Sequence, residues 1–133
     1  MKKGMSRIIF AFLSILLATL ACEFNASTAT IKDATLARDS AGTDPTTVFG
    51  PNDTFYCIVQ LANAPDDTVV KAIWYGVDGQ STTPNFVLDE AEATGGTGGV
   101  FNLTTDVPWP TGPYKVEIYL NGTLDRTLEF QVQ

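Results

Sequence analysis

The side chains able to do chemistry in this sequence are few, and their spacing suits little of it. There is no histidine, which removes the commonest general base and the commonest metal ligand together. Cys57 sits in the run Phe55-Tyr56-Cys57-Ile58-Val59 and shares the parity of Phe55 and Val59. That position makes it a packed core thiol, and a nucleophile would need a neighbouring base that the run does not supply. No Gly-x-Ser-x-Gly elbow occurs. Acid–base work by paired carboxylates requires two acids facing one substrate, and calcium requires several oxygen ligands at fixed spacing. Asn52-Asp53, Asp66-Asp67 and the cluster Asp89, Glu90 and Glu92 match neither pattern and read as solvated loop acids. No catalytic residue, cofactor or metal site is expected.

The elements that would carry any surface are strands. Tyr114, Val116, Ile118 and Leu120 alternate with Lys115, Glu117, Tyr119 and Asn121, the period of a strand with one buried face. Leu128, Phe130 and Val132 repeat the pattern on the return. Asn121-Gly122 between them favours a two-residue turn, yet that turn pairs Ile118 with Asp125 and sets the two apolar rows on opposite faces. The rows therefore predict an odd-numbered, three-residue turn with a bulge, Gly122 supplying a positive φ. Further strands are expected at 30–38, 54–62, 69–77 and 100–105, with only a short one at 86–88. Residues 38–52 read as a loop, and Gly95 to Gly99 as a flexible one. Phe101 and Leu103 are the expected inward pair of their strand, and Trp74 belongs to the core. Trp109, between Pro108 and Pro110, is expected to plug one end. About seven short strands punctuated by Gly and Pro predict an all-β antiparallel sandwich.

Charge narrows the partners. The formal net charge is −7, but Lys2, Lys3 and Arg7 stand near the N-terminus ahead of every acid. Beyond them five bases face 15 acids, a balance of about −10 that repels nucleic acid and anionic headgroups. With 44% hydrophobic and 17% charged residues the chain has the composition of a folded domain, not a disordered one.

Residues 1–21 have the form of a cleaved export signal: a basic start, then the uncharged, mostly apolar run Ile8 to Ala21. That run of 14 residues is short of the roughly 20 needed to span a bilayer. Its end, Leu17-Ala18-Thr19-Leu20-Ala21-Cys22, resembles a bacterial lipobox, with Thr19 and Leu20 in reversed order. The resemblance implies lipidation of Cys22, a tether over 22–28, and a domain outside the cytoplasm held to a membrane. With Cys22 so used, Cys57 is expected as a buried thiol without a disulfide. Asn25, Asn52, Asn102 and Asn121 each open an Asn-x-Ser/Thr triplet, which beside a bacterial leader reads as chance.

Cys57, Trp74 and the run Tyr114-Lys115-Val116 resemble the immunoglobulin pattern, in which a tryptophan packs on an inter-sheet disulfide and a tyrosine precedes the second cysteine by two residues. Val116 stands where that cysteine would be. The resemblance covers residues 29–133 and extends to bacterial envelope lipoproteins carrying one immunoglobulin-like or fibronectin type III-like domain. It implies a seven-stranded sandwich in which the strands of Ile73, Tyr75 and Tyr119 are neighbours, so that these three share one outward face, a candidate partner surface. The function expected is a non-catalytic binding or structural module at the bacterial cell envelope, its partner an envelope protein or a carbohydrate. The alternatives are a secreted carbohydrate- or calcium-dependent binding module, or an accessory part of a secreted hydrolase.

Overall fold

The computed structural model describes residues 28–76 and 86–133. The export signal, Cys22 and all of the tether except Thr28 lie outside the described residues. Eight strands occur among the described ones: β1 (Thr30–Ala37), β2 (Val48–Phe49), β3 (Phe55–Ala62), β4 (Val69–Gly76), β5 (Phe86–Thr94), β6 (Gly98–Leu103), β7 (Gly112–Leu120) and β8 (Thr123–Val132). They form a three-stranded sheet, β1-β3-β6, and a five-stranded sheet, β2-β8-β7-β4-β5. All pairings are antiparallel except β2 with β8.

The period-two rows close this sandwich. Phe55, Cys57 and Val59 of β3 point inward against Val70, Ala72 and Trp74 of β4 and Tyr114, Val116 and Ile118 of β7, all of them buried. Phe101 and Leu103 are buried from β6, as their parity requires. Phe55 is the hub: its ring centroid lies 4.6 Å from Trp109, 4.8 Å from Phe49 and 4.9 Å from Phe130. Offset and edge-on contacts of this kind each add about 0.5–1.5 kcal/mol beyond the burial of the rings.

Several expectations change. The strand count is eight instead of seven, because Val48–Phe49 leaves the loop to pair with Gln131–Val132. Two residues carry too little pattern to be seen in sequence. β5 runs nine residues, well past Leu88, so Asp89, Glu90 and Glu92 stand on a strand and not in a loop. An edge strand needs little apolar face, and charges on it discourage pairing with another chain. The Gly95 to Gly99 stretch is a loop only at its start. Gly98 begins β6, and a Cβ there would overlap the carbonyl oxygen of Val59, so the glycine permits the close approach of two backbones.

The hairpin differs as well. Leu120 pairs with Thr123, leaving Asn121 and Gly122 as a two-residue turn with φ of 49° and 85°. Positive φ at both positions is the geometry that Asn-Gly favours. The apolar rows are realigned one step later: Tyr119 faces Leu124 and Ile118 faces Arg126, with Asp125 bulged out between. Turn and pattern are both satisfied, the bulge absorbing the odd residue.

Candidate functional site

On the outward face of the five-stranded sheet, Lys71, Ile73 and Tyr75 of β4 lie antiparallel to Tyr119, Glu117 and Lys115 of β7. The pairs are Lys71 with Tyr119, Ile73 with Glu117, and Tyr75 with Lys115. The three residues singled out in the sequence are thus brought together, and with near two-fold symmetry about the Ile73–Glu117 pair. They are half-buried instead of open to water. The reason is their neighbours. Lys115 Nζ sits 4.9 Å from the centroid of the Tyr75 ring and Lys71 Nζ 5.0 Å from that of Tyr119, within cation–π range.

Glu117 joins the two halves. It accepts a hydrogen bond from the Tyr119 hydroxyl at 3.1 Å, its other oxygen lies 3.6 Å from Lys115 Nζ, and its carboxylate is near enough to Tyr75 to hold that phenol protonated. Lys71 is held from the far side by Glu90 of β5 at 3.5 Å. Burial, and then the Glu117 carboxylate, push the Tyr75 phenol up to about 12. Tyr119 is raised for the same reasons. Sequence parity found Ile73, Tyr75 and Tyr119 but missed Glu117 and the two lysines. Alternation along one strand does not place them, because their position follows from the β4–β7 register, which sets each lysine opposite a tyrosine and Glu117 opposite Ile73. A sugar ring seeking a bare aromatic face meets an ammonium group on each.

The other candidate residues lie elsewhere. Burial pushes the Cys57 thiol up to about 12, so it stays protonated and unreactive at neutral pH. Asp53 accepts the Gly50 N–H at 2.6 Å and the Arg38 guanidinium Nε–H at 3.2 Å, which commits its carboxylate to shaping a turn. Asp66 and Asp67 are exposed in the β3–β4 connection. Among the described residues no three acids or cysteines gather closely enough to hold a metal ion. Trp109 is a plug: its ring is buried on Phe55, and its Nε1–H donates to the Asp53 carbonyl at 2.8 Å. The Tyr114 hydroxyl donates to the Pro110 carbonyl at 2.6 Å, four residues upstream, closing the tyrosine corner that the sequence pattern implied.

Solved structures share this arrangement. An immunoglobulin-like protein from Pseudomonas aeruginosa superposes with a TM-score of 0.56 at 15% identity, over 82% of this chain and 99% of its own. The fold is immunoglobulin-like. The C-terminal domain of wzt matches with a TM-score of 0.50 at 15% identity, over 81% of this chain and 75% of its own. A β-glucosidase from Listeria innocua matches at 0.52 and 13% identity over 80% of this chain, which spans 16% of that enzyme. No protein-family model and no curated protein sequence matches the chain. At these identities the immunoglobulin-like likeness is one of fold, and such a fold hosts many roles.

Proposed function

We propose that the protein is a non-catalytic, exported, lipid-anchored module of the bacterial cell envelope that binds a protein partner through the outward face of its five-stranded sheet. The observation that supports this reading is the Tyr75–Glu117–Tyr119 array. Two large amphipathic side chains are fixed in place before any partner arrives, so little side-chain entropy remains to be lost on contact. Tyrosines set among charges on one sheet face are also a composition found at interface hot spots. Burial keeps the Cys57 thiol protonated, as suits a packed core residue. Anchoring rests on the lipobox-like end of the leader at Cys22 and gives the acidic domain a reason to be tethered, since its charge would otherwise carry it away from anionic lipid.

The test has two arms. Metabolic labelling with a fatty-acid probe should mark the protein and fail on Cys22→Ser; equal labelling of both would remove the anchor. Crosslinking in native membranes should recover a partner that Tyr75→Ser with Tyr119→Ser loses at least tenfold while thermal unfolding stays cooperative. Undiminished recovery with both serines in place would remove the face.

A further inference from the structure

The two sheets part along the stretch of β1 and β8 between Arg126 and the Pro45–Thr47 crossing. A groove of about 540 Å³ lies there. Its floor is the flank of the core, the partly buried side chains of Ala34 and Leu128 with Leu36 behind them. Its rims are backbone. Gln131 N–H donates to the Thr47 carbonyl, away from β7, so by the alternation of an antiparallel ladder Glu129 and Thr127 also turn their N–H and C=O groups away from β7. Nothing meets them among the described residues. Across the groove, Leu36 O accepts from Thr46 N–H on the side away from β3, which by the same alternation turns the N–H and C=O of Ala34 toward the opening. The groove is bounded at one end by the Arg126 guanidinium, which donates to the Ile31 carbonyl at 3.1 Å, and at the other by the Pro45–Thr47 crossing.

We infer that this groove is a strand-addition site for an extended, basic segment of another protein. β2 already shows the mode, since Val48–Phe49 pairs in parallel with Gln131–Val132 and the vacant slot continues its line along β8. A segment in that slot would bond the free groups of Thr127 and Glu129, while alternate side chains covered Ala34 and Leu128. The edge of β5 carries Asp89, Glu90 and Glu92, whereas this rim is threonine-rich with Glu129 as its one charged lining residue. Glu129, and a domain balance of about −10, favour lysine or arginine at the outward positions and oppose a second copy of this chain.

The inference stands on backbone geometry and is independent of the Tyr75–Tyr119 face. It is tested by amide NMR on the intact protein in detergent, titrated with a capped octapeptide of alternating valine and lysine, and with its valine–glutamate counterpart. The basic peptide should shift the Thr127 and Glu129 amides and slow their hydrogen exchange at least tenfold; the acidic one should leave both unchanged. Glu129→Pro removes an N–H that the β7 ladder does not use, and should weaken binding at least tenfold, while Glu129→Ala keeps that N–H, and so the exchange protection at saturating peptide, but narrows the preference for the basic peptide over the acidic one. Unslowed exchange at Thr127 and Glu129 in the unmutated protein overturns the site, whatever the variants do. An equal response to the acidic peptide overturns its basic partner.

Discussion

The rings of Phe55 and Trp109 stack at 4.6 Å with 21° between their planes, joining the middle of the core to the loop ahead of β7. Trp109 is fixed on both sides of this contact. Its backbone N–H donates to the Pro51 carbonyl at 2.7 Å and its indole N–H to the Asp53 carbonyl at 2.8 Å. Tyr114, 6.2 Å from Trp109 and 5.7 Å from Phe55, completes a triangle of rings at that end of the sandwich. The flanking prolines are left exposed, and the indole between them closes the end.

Removing that plug should be costly. Trp109→Ala leaves a ring-sized void against Phe55 and the Asp53 carbonyl without its indole donor, so a loss of about 3–5 kcal/mol is expected in chemical denaturation. Trp109→Phe keeps much of the stack and loses the bond to Asp53, and should fall well short of that. Equal losses for the two would mean that the hydrogen bond, and not the packing, holds the end shut.

The tyrosine corner gives a smaller effect. Tyr114→Phe retains the contact with Phe130, 5.5 Å between centroids, and deletes the 2.6 Å bond to Pro110. About 1–2 kcal/mol should be lost, the range for one part-buried hydrogen bond whose acceptor goes unmet. A thermal midpoint unchanged within error would show that the Pro110 carbonyl finds water instead.

At the β7–β8 turn, Asn121 has two duties that can be separated. Its φ of 49° belongs to the turn, and its Oδ1 accepts the Val69 N–H at 2.9 Å, tying the turn to the start of β4. Asn121→Gly should keep the turn and the backbone bond from its N–H to the Val69 carbonyl and lose only the side-chain tie, at about 1 kcal/mol with faster exchange of the Val69 amide. Asn121→Ala should cost more, because alanine resists the left-handed conformation as well. If glycine proved the worse of the two, backbone strain would not be what asparagine relieves.

This turn also shows where the sequence could be read and where it could not. Alternation along β3, β4 and β7 identified Phe55, Cys57, Trp74, Tyr114 and Val116 as core, because a buried face leaves no other choice of parity. The same reasoning misjudged the turn, since alternation reports that one residue must be absorbed but not whether the loop or a bulge at Asp125 absorbs it. The length of β5 beyond 86–88 escaped notice for a related reason: Asp89-Glu90-Ala91-Glu92 has no apolar row, and an edge strand is held by backbone bonds that side-chain types do not record. The outward face was legible only in part. Parity put Ile73, Tyr75 and Tyr119 on one side, but that lysines cap the tyrosines depends on the register between β4 and β7, which pairs Tyr75 with Lys115 and Lys71 with Tyr119.

Alkaline pH should destabilise this protein in a defined window. Burial raises Cys57 from 9.0 to about 12, and burial with the Glu117 carboxylate raises Tyr75 from 10.0 to about 12. Each group holds its proton more tightly folded than unfolded, so its contribution to stability is complete below its unfolded value and is lost as pH climbs through its folded one. Denaturation midpoints should therefore lose these contributions progressively between pH 9 and 12. Cys57→Ala should flatten the first part of the slope, between 9 and 10, where the unfolded thiol ionises ahead of the unfolded tyrosine. Glu117→Gln should bring the Tyr75 ionisation seen in ultraviolet titration down from about 12 but leave it above 10.0, since burial is the larger cause. A Tyr75 midpoint at 10.0 in that variant would make the carboxylate, and not burial, the source of the shift.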